Sequence, residues 1–305
     1  MHKPRVLFLG RTTLDLLYRL DRMPEEDTKT YARDLQAAPG GPALNAAITH
    51  ALLGGRAMLV SAVGGRPWAA PVRSQLRRHG VRLLDLAAGT DYETPLCAVL
   101  ANAVNATRTI VNPPISRVPL RHLSASWAAE APSSWGGIPP IVLTDGFFFE
   151  ETSALLSACK DAGAALCLDG GSWKPGTAEL APLLTAAICS ERFAIPGRSG
   201  GPDGDSDAVF AWFAACGVPY VAVTRGPRSI LASDRGHRFE IEVARIAAID
   251  TLGAGDVLHG AFCHHFARKP DFEPALRRAS AIATLSCQGI GAQAWARQPG
   301  STTAV

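Results

Sequence analysis

Short apolar runs alternate with amphipathic stretches along most of the chain, and this alternation constrains the fold more than any other feature. Six runs are apolar enough to be buried strands, at residues 6–9, 58–63, 141–144, 165–168, 186–189 and 220–224. Helix-like segments separate or follow them, at residues 42–53, 71–79, 151–162, 207–216, 253–268 and 274–287. Strand, helix, strand alternation favours a parallel sheet with helices on both faces. The sequence therefore predicts an α/β fold with a mainly parallel central sheet.

Two segments interrupt this alternation. Residues 21–36 are polar, and residues 91–112 have the pattern of two short strands around a turn near 102–105. Neither segment resembles a crossover helix, so together they predict a small antiparallel sheet that projects from the main body. We expect a single domain over residues 1–305, with this sheet, built from about 14–38 and 91–112, as a lid. A lid over a cleft excludes water from a reaction.

Composition excludes several classes of protein. The chain has 305 residues, 47% hydrophobic content and a net charge of +3, which excludes a disordered chain or a disulfide mini-scaffold. Its basic residues are scattered, and no apolar run approaches the ~20 residues of a membrane helix. The amino-terminal residues lack a signal-peptide pattern. Seven cysteines without C-x-x-C spacing indicate free thiols in a reducing compartment. We therefore expect a cytoplasmic protein that binds neither nucleic acid nor a membrane.

The chemistry is concentrated in residues 250–256, DTLGAGD, which a helix-like segment follows directly. Gly253, Ala254 and Gly255 allow a tight turn whose backbone N–H groups face one side, at the positive end of the helix. These three residues are therefore predicted to form an anion hole. Asp256 would lie beside the bound anion, where a carboxylate is a good acceptor for a hydroxyl proton. An anion hole beside a base is what phosphoryl transfer to an alcohol requires.

The same seven residues match D-T-x-G-A-G-D, and the segment resembles the second signature of the ribokinase-like (PfkB) sugar kinases. Residues 40–45, GGPALN, resemble the other signature of that family, G-G-x-x-x-N at the start of a helix. The resemblance implies a ribokinase-like three-layer fold with a small β-sheet lid, and ATP with Mg²⁺ as cofactors. It also implies a sugar site whose members are Asp15, Gly40, Gly41, Asn45 and the lid residue Arg108. For Arg108, the role of an exposed surface arginine stays open.

The resemblance implies a nucleotide site on the other side of the anion hole. Its candidate residues are Ser190, Thr224, Gly226, Thr251, Ala283, Cys287 and Gly291. Thr224 and Gly226 resemble the T-x-G-x-x-G loop, with Ser229 in place of the last glycine. Helix packing accounts equally well for the small residues Ala283, Cys287 and Gly291. Relatives bind a monovalent cation near the segment that matches Thr251, so K⁺ is a further candidate that the sequence does not decide.

One departure from the family concerns the metal. Many members have N-x-x-E where this chain has Ser190 and Phe193. We therefore assign no metal ligand to the protein and expect Mg²⁺ to bridge ATP phosphates through water. The ketohexokinase-like branch also lacks N-x-x-E, and segments 24–27, 105–110 and 275–277 of this chain resemble that branch as well. Lid pieces of relatives often pair between subunits, which implies a homodimer through the lid.

The predicted reaction is ATP-dependent phosphorylation of a hydroxyl of a small carbohydrate, with Asp256 as general base. Three alternatives stay open. Lys29, Arg33 and Arg108 would suit a phosphosugar, and Tyr31 and Tyr92 would suit a nucleoside. A retired kinase fold that binds a ligand as a regulator is the third. Strand-end segments 145–146 and 169–174 are expected near the cleft, where they are either substrate contacts or ordinary turns.

Overall fold

The computed structural model describes residues 3–114, 116–126, 135, 137–197 and 205–297. Its strands, in chain order, are β1 (Arg5–Leu9), β2 (Thr13–Leu20), β3 (Asp34–Gly40), β4 (Arg56–Ser61), β5 (Arg82–Asp85), β6 (Leu96–Asn102), β7 (Arg108–Val111), β8 (Ile141–Thr144), β9 (Ala165–Gly170), β10 (Ala186–Ser190), β11 (Tyr220–Arg225), β12 (Arg228–Asp234) and β13 (His237–Ile241). Its α-helices are α1 (Pro42–Leu52), α2 (Ala69–Arg78), α3 (Phe149–Asp161), α4 (Thr177–Leu180), α5 (Ser206–Ala215), α6 (Ala254–Arg268) and α7 (Phe272–Ser286). Short 3₁₀ turns lie at Ala181–Leu183 and Ala294–Arg297. No helix within these ranges is long and apolar enough to cross a bilayer.

Nine strands form the central sheet, in the order β13-β12-β11-β10-β9-β8-β1-β4-β5. All neighbours from β5 to β11 are parallel, while β12 and β13 add an antiparallel hairpin at one edge. The predicted α/β fold with a mainly parallel sheet is confirmed, and the six predicted strands are all present. The sequence analysis did not predict β5, β12 or β13. The hairpin turn at Arg235 and Gly236 has positive φ at both residues, as tight β-hairpins require.

The sheet has an apolar core on each face, because successive side chains of a strand point to opposite sides. In β1, Val6 and Phe8 pack on the face covered by α1, α6 and α7, whereas Leu7 and Leu9 pack on the other face. Each of these four residues is at most 2% exposed. Burial of one such side chain contributes about 1.5–3 kcal/mol. The loops at the carboxyl ends of the strands therefore stand on a rigid support.

The lid is a four-stranded sheet in the order β3-β2-β6-β7. The predicted antiparallel sheet is wrong in one respect, since β2 pairs with β6 in parallel. Each of the two insertions forms an antiparallel pair, β2 with β3 and β6 with β7. Their first strands follow β1 and β5, which run in the same direction in the central sheet. Both insertions therefore leave the same edge in the same direction, and their first strands meet in parallel.

Candidate functional site

The loop at residues 250–256 is held rigidly in front of α6. Gly253 has φ +75°, and a Cβ added there would lie 2.8 Å from the Cβ of Ala292. The Asp250 carboxylate accepts from the backbone N–H of Leu252 at 2.8 Å and of Gly291 at 2.9 Å. These two bonds tie the loop to the segment that follows α7.

The N–H groups of this loop are available at the positive end of α6. Ala254 donates a long hydrogen bond of 3.3 Å to the carbonyl oxygen of Thr251. Within the described ranges, the N–H groups of Gly253 and Gly255 donate to no backbone carbonyl. Unsatisfied N–H groups at a helix amino terminus attract anions. The geometry therefore supports an anion hole, in which Gly253 and Gly255 are the freer donors.

Asp256 lies in the first turn of α6, directly beside these donors. Its Oδ2 accepts a hydrogen bond of 2.8 Å from Nδ2 of Asn45, which lies on α1. Burial, together with the negative charge of Asp169, raises the pKa of Asp256 to about 7. The bond from Asn45 and the electrostatic effects of His259 and Arg108 lower this pKa. A carboxylate with a pKa near neutral is well matched to accept a proton.

The residues predicted to hold the sugar lie together around the start of α1. Thr13 donates a hydrogen bond of 2.7 Å to Oδ1 of Asp15, and burial raises the pKa of this carboxyl. A Cβ at Gly40 would lie 2.1 Å from Oδ2 of Asp15. A Cβ at Gly41 would lie 2.4 Å from the carbonyl oxygen of Arg11. At Gly41 the neighbour is backbone and φ is +98°, so glycine is required there, whereas at Gly40 the neighbour is a side chain that can rotate.

The lid touches the anion loop through Arg108 and Thr251. Nη1 of Arg108, on β7, donates to Oγ1 of Thr251 at 2.9 Å. The same hydroxyl donates to the carbonyl oxygen of Ala106 at 3.1 Å. Arg108 is exposed, but its charge is near enough to act on Asp256. Thr251 therefore lies at the contact between the lid and the loop.

Two groups of residues predicted for the nucleotide take separate places. Ser190 and Thr224 are register partners at the carboxyl ends of β10 and β11, and Gly226 forms the turn that follows. Cys287 lies at the end of α7, and its carbonyl oxygen accepts from the N–H groups of Ile249 and Asp250. Gly291 is bound to the anion loop, as described above. The end of α7 and the loop are therefore one connected unit.

The Ala283 side chain belongs to the hydrophobic core, with 8% of the residue exposed. Phe193 is also buried, against Trp173 and Phe213, and the neighbouring Glu191 forms an ion pair with Arg228. The residue that would be the family's glutamate is thus a core aromatic. In the part of the chain that the structure describes, no three His, Cys, Asp or Glu side chains are arranged to hold a metal ion.

Two further residues lie near this site: Asp145, whose segment is expected from the sequence to be a substrate contact or a turn, and His259, which was not predicted. Asp145, at the end of β8, accepts from the N–H groups of Arg11 at 2.8 Å and Phe147 at 3.0 Å, and burial raises its pKa to about 7. His259 is buried on α6 with its Nδ1 3.3 Å from Oδ2 of Asp169. The sequence did contain a signal for His259, since a residue three positions after Asp256 shares its helix face.

Available N–H groups at a helix amino terminus, beside a carboxylate, suit phosphoryl transfer to an alcohol. The model of the pfkB family of carbohydrate kinases matches residues 3–298, and the chain belongs to this family. It is 23% identical over 296 residues to a ribokinase of Bacillus subtilis and 24% identical over 297 residues to a deoxyribokinase of Salmonella typhi. Each of these matches covers 94% of both chains.

Solved structures show the same fold. A ribokinase structure from Giardia lamblia matches with a TM-score of 0.82 and 17% identity, over 98% of each chain. An Arabidopsis thaliana ribokinase complexed with ribose and ATP matches with a TM-score of 0.74 and 22% identity, over 95% of this chain and 94% of that one. By contrast, the likeness to a Mus musculus ketohexokinase is 27% over 111 residues, only 36% of this chain and 37% of that protein. The predicted family is thus confirmed, while the likeness to ketohexokinase is partial.

Proposed function

We propose that this kinase transfers the γ-phosphoryl group of ATP to a hydroxyl of a small sugar, with Asp256 as the general base. The observation that carries the proposal is the position of Asp256, in the first turn of α6 beside the N–H groups of Gly253 and Gly255. Asp256 takes the proton of the attacking hydroxyl as its oxygen bonds to phosphorus. The backbone at Gly253, Ala254 and Gly255 stabilises the charge on the transferred group.

The sugar binds between the central sheet and the lid. Asp15 accepts hydrogen bonds from its hydroxyls, and Asn45 offers both a donor and an acceptor. Gly40 and Gly41 have no side chain and so leave room for the sugar, and Arg108 covers the sugar from the lid. The hydrogen bond between the side chains of Asn45 and Asp256 supports this arrangement.

ATP binds on the other side of the anion hole, against Ser190, Thr224, Gly226 and Thr251. Cys287 and Gly291 contribute the wall of the adenine pocket, and Ala283 supports that wall from the core. Mg²⁺ is held by the ATP phosphates and by water, since Mg²⁺ commonly keeps several water ligands. We also propose that K⁺ binds at the Asp250–Thr251 segment, where a rigid carboxylate lies beside the anion hole.

For the acceptor, a pentose is the first candidate, because the relatives that match over 94% of the chain include a ribokinase and a deoxyribokinase. A ketohexose follows from the segments that resemble the ketohexokinase-like branch. A nucleoside is a further candidate, since a Methanothermobacter thermautotrophicus nucleoside kinase is 33% identical over 98 residues, 32% of each chain.

We also propose a homodimer through the lid. Large apolar side chains of the lid are exposed to solvent, namely Tyr31, Leu35, Val104, Ile110 and Val111. Several exposed large apolar side chains on one small sheet are a feature of interfaces. Leu35→Glu should therefore lower the mass measured by sedimentation from a dimer to a monomer, and an unchanged mass would remove this proposal.

A cytoplasmic location fits an ATP-dependent enzyme whose seven cysteines are all free.

The experiment measures ATP consumption by the purified protein with Mg²⁺, in K⁺ or in Na⁺, against D-ribose, 2-deoxyribose, D-fructose, phosphosugars and nucleosides. Asp256→Asn should retain the fold and lower turnover by a factor of about 10² to 10⁴. Asp271→Asn is the matched control, because Asp271 precedes α7 and caps no N–H with its side chain. Equal turnover in Asp256→Asn and wild type would refute the general base. Binding of ATP without turnover on any acceptor would favour the regulator.

A further inference from the structure

The His259 ring lies behind the anion loop, one turn into α6, with 4% of the residue exposed. Its Nδ1 is 2.7 Å from the carbonyl oxygen of Gly255, and its Nε2 is 3.0 Å from the carbonyl oxygen of Ile188 on β10. A carbonyl oxygen only accepts hydrogen bonds. Neutral imidazole has a single N–H, so one of these two contacts would then join two lone pairs. Only the doubly protonated ring donates to both oxygens.

Asp169 gives a second, independent indication of charge. The residue is 6% exposed, and its Oδ2 lies 3.3 Å from Nδ1 of His259. In the described part of the chain, this buried oxygen has no hydrogen-bond partner. A buried carboxylate without a partner is costly, and a nearby cation reduces that cost. A positively charged His259 supplies the cation.

We propose that His259 is an imidazolium whose positive charge offsets Asp169 and thereby keeps the neighbouring Asp256 ionised. His259 is then a positioning residue for the phosphoryl transfer, since it acts through Asp256 and touches neither substrate. The role in the reaction rests on the proposed function of Asp256. The protonation of the ring does not, because it follows from the hydrogen-bond acceptors alone.

The surroundings of His259 agree with this charge. Asp256 and Cys263 share its helix, Asp169 and Cys167 belong to β9, Cys189 belongs to β10, Lys174 follows β9, and Arg108 extends from the lid. Burial raises the pKa of Cys189 and Cys263 well above their ordinary values, so these thiols stay neutral. Asp169 raises the pKa of Asp256, while His259 and Arg108 lower it. Burial and the charge of Asp169 both raise the pKa of Asp256. If the His259 ring were neutral, Asn45 and Arg108 would be the remaining groups, among the described residues, that lower it.

The first test measures the protonation of the ring in the free protein, without any substrate. NMR of histidine-¹⁵N-labelled protein at pH 7.5 should show two protonated ring nitrogens for His259, assigned by their loss in His259→Gln. A ring with one protonated and one bare nitrogen would overturn the proposal. This result is obtained on the wild-type chain, so it decides even if the assigning variant is unstable and the signal must be assigned through bonds.

The second test follows the ionisation of Asp256 by ¹³C NMR of aspartate-labelled protein, with Asp256→Asn for assignment. His259→Gln should move the titration midpoint of Asp256 upward by about one pH unit or more, a tenfold loss of the ionised form below the midpoint. Adding Asp169→Asn should return the midpoint toward the wild-type position, since both charges are then absent. His265→Gln, another buried histidine of α6, should leave it unchanged. An unmoved midpoint in folded His259→Gln would overturn the proposal.

A kinetic measurement connects the charge to the reaction. With ATP, Mg²⁺ and D-ribose, the acid limb of kcat for His259→Gln should shift upward with the Asp256 midpoint, and the double variant should reverse the shift. Acid limbs that coincide in all three proteins would remove the role in catalysis. If no sugar is phosphorylated, the proposed function fails, while the two NMR measurements still decide the charge of the ring.

Discussion

The side chains of Asn45 and Asp256 are 211 positions apart in sequence and are joined by a hydrogen bond of 2.8 Å. Asn45 lies on α1, which begins at the glycine pair, and Asp256 lies on α6, which begins at the anion loop. The two helices pack against each other on one face of the central sheet. One contact therefore connects the glycine pair to the anion loop, and it both orients the Asp256 carboxylate and lowers its pKa.

Removal of this donor should shift the pH dependence of the reaction. The bond from Asn45 stabilises the ionised carboxylate, so Asn45→Ala should raise the pKa of Asp256 above its value of about 7. We expect turnover to fall severalfold more at pH 6.5 than at pH 8.5, measured with saturating sugar. Thr49→Val is the matched control, because its hydroxyl donates to the carbonyl oxygen of Asn45 and, among the described residues, makes no bond with Asp256. Parallel pH profiles for Asn45→Ala and wild type would contradict this prediction.

The close approach of Gly40 to Asp15 gives a prediction about the sugar. In Gly40→Ala the new Cβ would meet Oδ2 of Asp15, whose side chain would have to rotate away. The fold should survive, since a side chain rather than backbone moves, while KM for the sugar should rise about tenfold or more and KM for ATP should stay nearly constant. Gly65→Ala is the control, as its Cβ would meet no atom within 4 Å. An unchanged KM for the sugar would show that Asp15 does not bind it.

Much of this architecture could be predicted from local sequence. Apolar runs such as Ile141–Thr144 are continuous because parallel strands are buried on both faces, and this pattern reveals them directly. β12 and β13 mix buried, half-buried and exposed residues, and a turn at Arg235–Gly236 separates them, which is a weaker signal. The parallel pairing of β2 with β6 depends on where two insertions, far apart in sequence, leave the central sheet. A local sequence pattern carries no information about that position.

The site shows the same division. The anion loop and the glycine pair were found because their chemistry lies in consecutive residues. The contact of His259 with Asp169 and Ile188 joins three separate elements, and only the packing of α6 on the sheet creates it. For Asp145 the sequence leaves open a substrate contact or a turn, and only the fold shows that its carboxyl group is buried.

A cluster of buried histidines predicts loss of stability in acid. His50, His264 and His265 are each at most 8% exposed, and each has one ring nitrogen without a hydrogen-bond partner among the described residues. Burial lowers the pKa of His50 to about 4, of His264 to about 3 and of His265 to about 4. All three rings are therefore neutral in the folded protein at pH 7.

The unfolded chain protonates these histidines near pH 6.5, so between about pH 6.5 and 4 it binds protons that the folded chain does not. Above about pH 6.5 these histidines do not reduce the stability of the fold. As the pH falls through that range, the free energy of unfolding decreases by up to about 1.4 kcal/mol per pH unit for each group. Urea unfolding at pH 5 and 7.5 measures this loss. His264→Leu should reduce the pH dependence, whereas the exposed His237→Leu should not. Equal slopes for His264→Leu and wild type would show that the ring does not titrate as described.

The hydroxyl of Thr251 holds the lid tip against the anion loop, since it accepts from Arg108 and donates to Ala106. Thr251→Val keeps the shape of the side chain but removes both bonds. The lid should then exclude water less well, because its tip is no longer fastened to the loop. We expect kcat/KM for the sugar to fall about tenfold, and ATP hydrolysis without sugar to increase. Thr109→Val, next to Arg108 on the exposed strand β7, is the matched control and should behave as wild type. A Thr251→Val enzyme with wild-type kcat/KM and no added ATP hydrolysis would show that the contact does not close the site.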